Sequence, residues 1–368
     1  MIWVKRILAG IGVLLVLAIV TLAIAMSHDS PCGPTSQGAP GPGTMKAVVH
    51  RCYGGPEVAR LEDIPKPPPP DDRMLVKVHA ASVNPLDWHY VRGKPYLMRP
   101  MVGFGKPDDI RLGTDFAGTV EAVGKNVTRF KVGDEVFGGA DGAFAEYVNV
   151  RENGGIALKP ANMTFEQAAS VPVAAITALQ ALRDVGKLKP GQKVLINGAS
   201  GGVGTFAVQI AKAMGADVTG VCSTHNVAMV QSIGADHVID YTKDDFTKAE
   251  ARYDLILDMV GNHSLSELRH VLTAEGAAVL IGGPSTGDWL GPMSQSLVAM
   301  VEGPFHHNKM GFMLAKLTGD DMNKLAQLMQ DGKLTPVIDR TYKLADTFEA
   351  IRYVEAGHSH GKVIIEVE

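Results

Sequence analysis

The sequence predicts an α/β protein: a doubly wound parallel sheet joined to an irregular β domain, the whole preceded by one long apolar helix. Three observations carry this. After Thr164, apolar strands alternate with amphipathic helices, the texture of a parallel sheet covered on both faces. From Lys46 to Met163, short strands are broken by Gly and Pro, as in antiparallel β structure. Ile7–Met26 is an uncharged apolar run. The chain's 368 residues suit two domains at roughly 100–200 residues each. A 46% hydrophobic and 20% charged composition excludes a disordered or fibrous protein. The net charge of −4, with no basic stripe, points to no nucleic-acid partner.

Taken in order, Ile7–Met26 (ILAGIGVLLVLAIVTLAIAM) rises about 1.5 Å per residue as a helix and so reaches across a hydrocarbon core. Lys5 and Arg6 precede it and no basic residue follows before Lys46, which keeps the N-terminus cytoplasmic and translocates the rest. Ala23-Ile24-Ala25 resembles a signal-peptide cleavage site, but the run exceeds the usual h-region, which favours an uncleaved single-pass membrane anchor. A third reading has the soluble protein begin at Met45. Ser30–Thr44 is a Pro/Gly/Ser tether with nothing to bury, expected to be extended and mobile. Cys32 lies in it, and Cys32, Cys52 and Cys222 are far apart in sequence with no C-x-x-C pair. The expectation is a free, solvated thiol at Cys32 and a small buried residue at Cys222.

In the β region, strands are predicted at Met45–His50, Arg73–Ala81, Phe116–Val123 and Glu135–Gly138, and Pro65–Pro70 is a polyproline-like connector. The second region reads as strand Val194–Asn197, helix Thr205–Met214, strand Asp217–Cys222, helix Val227–Ile233 and strand His237–Asp240. Strand Asp254–Asp258, helix Ser264–Leu272 and strand Ala277–Ile281 follow, and Lys362–Glu368 closes the chain as a strand.

Between the first strand and helix of that region runs Asn197-Gly198-Ala199-Ser200-Gly201-Gly202-Val203-Gly204. Ala199, Gly201 and Gly204 occupy the three glycine positions of the dinucleotide fingerprint G-x-G-x-x-G, in the required strand–turn–helix setting. A pyrophosphate is then held by the N–H groups at the helix's positive end. An acid about 20 residues on would bind the ribose 2′-hydroxyl of NAD. Cys222-Ser223-Thr224-His225-Asn226 offers none there, and hydroxyls with an imidazole suit a 2′-phosphate, so NADP(H) is the expected cofactor.

The order of motifs over Met45–Glu368 resembles the zinc-free quinone oxidoreductase branch of the medium-chain dehydrogenase/reductase superfamily. The matching segments include Tyr53-Gly54-Gly55-Pro56, Ser82-Val83-Asn84-Pro85-Leu86-Asp87, Gly113-Thr114-Asp115-Phe116-Ala117-Gly118, Val132-Gly133-Asp134-Glu135-Val136, the glycine loop and Gly361-Lys362-Val363. The resemblance implies a GroES-like catalytic domain over 45–163 and 315–368 and a Rossmann domain over 164–314; the residues ahead of it divide into the anchor, 1–26, and the linker, 27–44. It also implies a homodimer.

Zinc-dependent relatives carry a Gly-His-Glu motif where this chain has Gly113-Thr114-Asp115, and Asn84-Pro85-Leu86-Asp87 stands in the neighbourhood of their first ligand. The three protein ligands a catalytic zinc needs are not supplied, so no metal is expected. The chemistry left is hydride transfer to a quinone or an alkene or carbonyl that is already electron-poor. By resemblance Asn84 and Asp87 lie at the cleft, with His89 where the family often has Tyr; His89, Tyr90 or water is the proton source. Thr177 is implied near the nicotinamide, Tyr241 near the adenosine half, Ile281-Gly282 beneath the ring, and Lys362 at the cofactor. Ser200, Gly202 and Val203 complete the phosphate loop, and Ser223 and His225 face the 2′-phosphate. Two other readings stay open: a zinc-type alcohol dehydrogenase, and a nucleotide-binding redox sensor or scaffold with little turnover.

Overall fold

A computed structural model of the chain describes residues 2–33, 41, 43–283, 287–303 and 306–367. Its helices and strands, in chain order, are α1 (Ile2–Ser27), β1 (Thr44–Val49), β2 (Arg60–Pro65), β3 (Arg73–Val83), α2 (Pro85–Arg92), α3 (Arg99–Val102), β4 (Asp115–Val123), β5 (Glu135–Gly139), β6 (Tyr147–Arg151) and β7 (Ile156–Leu158). There follow α4 (Phe165–Ala169), α5 (Pro172–Gln180), β8 (Lys193–Asn197), α6 (Gly202–Ala213), β9 (Asp217–Cys222), α7 (Val227–Ser232), β10 (His237–Asp240), β11 (Tyr253–Asp258), α8 (Leu265–His270) and β12 (Leu272–Leu280). The chain ends with α9 (Ser294–Glu302), β13 (Lys309–Phe312), α10 (Gly319–Gln330), β14 (Ile338–Lys343), α11 (Thr347–Glu355) and β15 (Lys362–Glu366).

The parallel sheet has the order β10-β9-β8-β11-β12-β13. Its strands are apolar because both faces are covered. Along β8, Val194 and Ile196 enter one core with Phe206 and Ile176, while Leu195 enters the opposite core with Leu268 and Ile256. The order reverses between β8 and β11, the switch point where such sheets bind ligands. The second sheet is built on β3, which pairs antiparallel with β4, β6 and β15. β15 pairs Val363 with Val83 and so brings the last strand of the chain beside the start of α2.

Two boundaries differ from the sequence reading by more than two residues. α6 starts at Gly202 rather than Thr205, because extended Gly201 is its N-cap and the fingerprint itself forms the first turn. β12 starts at Leu272 rather than Ala277, its exposed, polar lead-in concealing the strand.

The N-terminal segment departs most from expectation. α1 is exposed along nearly its whole length, and Met26 in its last turn is buried. Beyond it, the chain folds back onto the β domain. Arg99, fully buried, donates to the carbonyl of His28 at 2.8 Å and to the Asp29 carboxylate at 2.6 Å. Cys32, expected as a free thiol, is joined to Cys52 in a disulfide with Cα atoms 4.7 Å apart. The reason is tertiary: the docking of His28 and Asp29 on Arg99 delivers Cys32 to Cys52, and spacing alone gave no sign of it. Residues 34–40 and 42, where the mobile tether was expected, lie outside the described residues. Cys222 is buried at the end of β9 as expected, and burial pushes its thiol up to about 11.

Candidate active site

The phosphate cradle forms where β8 turns into α6. No side chain caps α6, so its first N–H groups, from Gly202 on, are left for an anionic ligand. The turn is closed tightly enough that a Cβ on Gly204 would lie 2.0 Å from the Gly198 carbonyl oxygen. At the end of β12, a Cβ on Gly282 would lie 1.9 Å from the Met259 oxygen, so the backbone there offers a flat surface. Across the switch point, Asn197 donates to Asp258 Oδ1 at 2.9 Å, while Asp258 Oδ2 is buried with no hydrogen-bond partner among the described residues. A bare helix start, a glycine-only turn and an orphaned acceptor fit a dinucleotide.

At the end of β9, Asn226 is the hub. Its buried amide donates to Ser200 Oγ at 3.2 Å and to Ser223 Oγ at 3.1 Å, and lies 3.0 Å from His360 Nδ1. The glycine loop, the end of β9 and the approach to β15 are thereby fixed together. His225 and Tyr241 are exposed beside them. No acid follows β9 in sequence, but β10 pairs Asp240 with Cys222 and so brings a carboxylate to this edge. That carboxylate is occupied: it accepts from Thr224 at 2.6 Å and Thr242 at 2.7 Å, and pairs with Lys243 at 3.0 Å. The Thr224 hydroxyl, with these other donors, holds it well below the usual carboxylate range.

At the junction of the two sheets lies a second cluster. Lys362 Nζ donates to Asn84 Oδ1 at 2.7 Å and lies 3.4 Å from Asp115 Oδ2. Asn84 Nδ2 donates to the same Asp115 oxygen at 2.9 Å, as does Ser82 Oγ at 3.1 Å, and Asp115 Oδ1 takes the Val173 N–H at 3.0 Å. Below them Asp87 accepts the Asn84 backbone N–H at 2.7 Å, which caps α2. Burial pushes the Asp87 carboxyl up to about 7 and lowers the Lys362 ammonium, since neither is solvated. The Lys362 stem runs past the glycine loop, with Cδ 3.1 Å from where a Gly202 Cβ would stand, and Gly201 bridges Gly361. The cradle and this cluster are therefore one assembly.

Thus the structure brings together Asn84, Asp87, Lys362 and the loop Ala199–Gly204, and links Ser223 to them through Asn226. His89 is engaged elsewhere. Its Nδ1 lies 2.8 Å from the Lys94 carbonyl, and its ring packs on Trp88. With that nitrogen donating, Nε2 of the neutral ring carries a lone pair, and burial lowers the ring's pKa. Thr177 donates to Val173 O within its own helix at 2.7 Å. Asp115, Ser82, Asn226 and His360 were not recognised from sequence as site residues. The one available signal was Asp115, a carboxylate heading the apolar run Phe116-Ala117-Gly118. Among the described residues, no three His, Cys, Asp or Glu side chains group as metal ligands. Asp115, at the Gly-His-Glu position, has its oxygens taken by N–H and O–H donors instead.

The two sheets and their junction define a GroES-like domain joined to a Rossmann domain. Family models agree: alcohol dehydrogenase GroES-like domain over residues 70–161 and zinc-binding dehydrogenase over 233–365. The mitochondrial NAD(P)H oxidoreductase RTN4IP1 of Mus musculus is 35% identical over 364 residues, covering 88% of this chain and 89% of that protein. The chloroplastic NADPH-dependent alkenal/one oxidoreductase of Arabidopsis thaliana is 32% identical, covering 88% and 80%. The solved quinone oxidoreductase of Coxiella burnetii superposes with a TM-score of 0.76 at 30% identity, over 88% of this chain and all of that one. The chain belongs to the zinc-free, quinone-oxidoreductase-like branch of the medium-chain dehydrogenase/reductase superfamily.

Proposed function

We propose that this protein is an NADPH-dependent reductase that passes hydride to a quinone or to an alkene or carbonyl that is electron-poor, held at a membrane by α1. The observation that carries it is the contact of the glycine loop with the Lys362–Asn84–Asp115 cluster, which sets a nucleotide cradle against a buried polar centre. Relatives whose names specify quinones and alkenals with NADPH support the acceptor class.

The nicotinamide supplies the hydride when bound. The start of α6 holds the pyrophosphate, Ser223 and His225 receive the 2′-phosphate with Tyr241 beside the adenosine, and Ile281-Gly282 form the surface beneath the ring near Thr177. Lys362 and Asp87 are positioning residues: one fixes the Asn84 amide from above, the other its backbone from below. The second amide hydrogen of Asn84 is the donor offered to the acceptor oxygen as charge develops. His89, held at the Lys94 carbonyl, is not brought to this centre, and water supplies the proton.

The exposed α1, uncharged from Ile7 to Met26, suits a single-pass anchor. Lys5 and Arg6 in its first turns and the disulfide behind it both favour a catalytic domain facing an oxidising compartment. Exposed Leu297, Met300 and Val301 on α9, beside the edge strand β13, suit a homodimer.

The test is anaerobic NADPH oxidation by the full chain in detergent, with 1,4-benzoquinone, an alkenal and a simple aldehyde in parallel and NADH as control. Turnover with quinone or alkenal is expected. Tight NADPH binding without turnover would instead indicate a sensor, and zinc-dependent aldehyde reduction an alcohol dehydrogenase.

A further inference from the structure

α1 does not hang from the protein on a loose tether. Its last turn packs on Tyr96–Met98, with Met26 buried there. The segment after it is pinned at three points: Ser30 N–H to Gly105 O at 2.8 Å, Arg99 to His28 and Asp29, and Cys32 to Cys52. Arg99 is itself sandwiched 4.5 Å from the Tyr53 ring and 4.7 Å from the Tyr96 ring, and donates to Gly93 O at 2.9 Å. The helix therefore leaves the β domain at the 94–106 loop in a fixed direction.

That loop is unusually apolar on its outer side. Met101 is 83% exposed, Phe104 49% and Leu97 41%. A second segment joins it: Tyr96 and Leu97 donate to the carbonyls of Asp288 and Trp289 at 2.7 and 3.3 Å, and the Tyr96 and Trp289 rings meet edge-on at 5.1 Å. Trp289 and Leu290 are also exposed. This second segment packs on the flat strand end, since a Gly283 Cβ would lie 2.3 Å from Pro292 O. Leu97, Met101, Phe104, Trp289 and Leu290 thus form one apolar lip between the exit of α1 and the floor of the cleft. Lys94, paired with Asp288 at 2.9 Å, ties the two segments together, and Lys106 is exposed after Phe104.

We propose that this lip rests in the headgroup–acyl boundary of the membrane that α1 crosses, so that the cleft opens at the bilayer surface and takes a lipid-soluble acceptor from it. Exposed aromatic and long apolar side chains beside the exit of a membrane-spanning helix suit that boundary. The pinned joint at the helix exit holds the lip next to the bilayer that α1 would cross. The proposal rests on α1 being a membrane anchor.

The test uses the full chain in vesicles of phosphatidylcholine brominated near the headgroup end of one acyl chain. Trp289 emission, obtained as the difference between wild type and Trp289→Phe, should fall by about half relative to unbrominated vesicles. In the same vesicles, Met101→Asp with Phe104→Asp should raise KM for a long-chain isoprenoid quinone about tenfold and leave KM for 1,4-benzoquinone unchanged. If the chain floats with vesicles but Trp289 is not quenched, the lip proposal fails and the anchor stands. Failure to float removes the anchor reading and the lip with it. Cross-linking between two copies carrying Met101→Cys would give the lip to a second copy and overturn the proposal.

Discussion

Lys362, on the last strand of the chain, places its Nζ 2.7 Å from Oδ1 of Asn84, a residue 278 positions earlier. The bond closes the polar centre on which the proposed reduction depends. Lys362→Met removes the donor and leaves Asp115 as a buried carboxylate with its cation gone. Breaking one side of such a pair costs about 3–5 kcal/mol. A lower denaturation midpoint is expected, together with a kcat/KM fall of at least about tenfold. The pH dependence follows by sign. Lys362 has its folded pKa lowered, so the unfolded chain binds more protons and wild-type stability gains from this group as pH climbs toward 10.5. Lys362→Met should lose that gain, which urea titrations at several alkaline pH values will read.

Asp87 acts in the opposite sense. Its folded pKa is raised to about 7 from 3.8, so its contribution is complete below pH 4 and declines as pH rises toward and through 7. Asp87→Asn keeps an oxygen for the Asn84 N–H and cannot ionise. Its stability should be flat across that window where wild type declines, as chemical denaturation at pH 5 and pH 8 will show.

Two glycines in one loop should respond differently. A Cβ on Gly204 meets the Gly198 oxygen at 2.0 Å, whereas on Gly201 its nearest neighbour is that same oxygen at 3.5 Å. Gly204→Ala should therefore destabilise the fold itself. Gly201→Ala should fold normally and bind NADPH at least about tenfold more weakly, because the methyl group crowds only the ligand. Thermal melts with nucleotide titration by fluorescence separate the two.

Cofactor preference turns on Ser223. Ser223→Asp places a carboxylate where the 2′-phosphate is proposed to lie and suits a free 2′-hydroxyl instead. The ratio of kcat/KM for NADPH over NADH should fall by about tenfold to a hundredfold.

Much of the fold was legible because strand alternation and fully buried strands leave direct marks. Val194-Leu195-Ile196 announces a two-sided strand, and Gly198–Gly204 announces the turn that follows it. The glycine turn between β8 and α6 was readable for the same reason, since its tightness is a backbone property. Asn84 and Lys362 could be carried over from a resemblance, but their hydrogen bond could not, because it depends on β15 pairing with β3. Asp240 reaches the cofactor edge only through its parallel pairing with Cys222, which no count along β9 reveals. Cys32 read as a loose thiol for want of Arg99, whose buried guanidinium is what draws the N-terminal segment inward.

Arg99 makes the N-terminal segment part of the folded domain. Deleting residues 1–33 removes Asp29, the His28 carbonyl and the disulfide together, and leaves Arg99 with only its Nε bond to Gly93 O. Loss of a disulfide closing a loop of this length costs about 3 kcal/mol in the chain-entropy account. A markedly lower Tm is expected for the truncated protein than for the full chain in detergent, and an unchanged Tm would sever the link between tether and domain.

Isotope transfer tests the central claim most directly. The full chain is given an alkenal under anaerobic conditions with NADPH deuterated at C4 of the nicotinamide, each face labelled in turn, and the product is analysed by mass spectrometry. The account predicts one deuterium at the β-carbon of the saturated product from one labelled face and none from the other. NADPH consumption without label in the product, or label from both faces, would contradict hydride transfer in an ordered cleft.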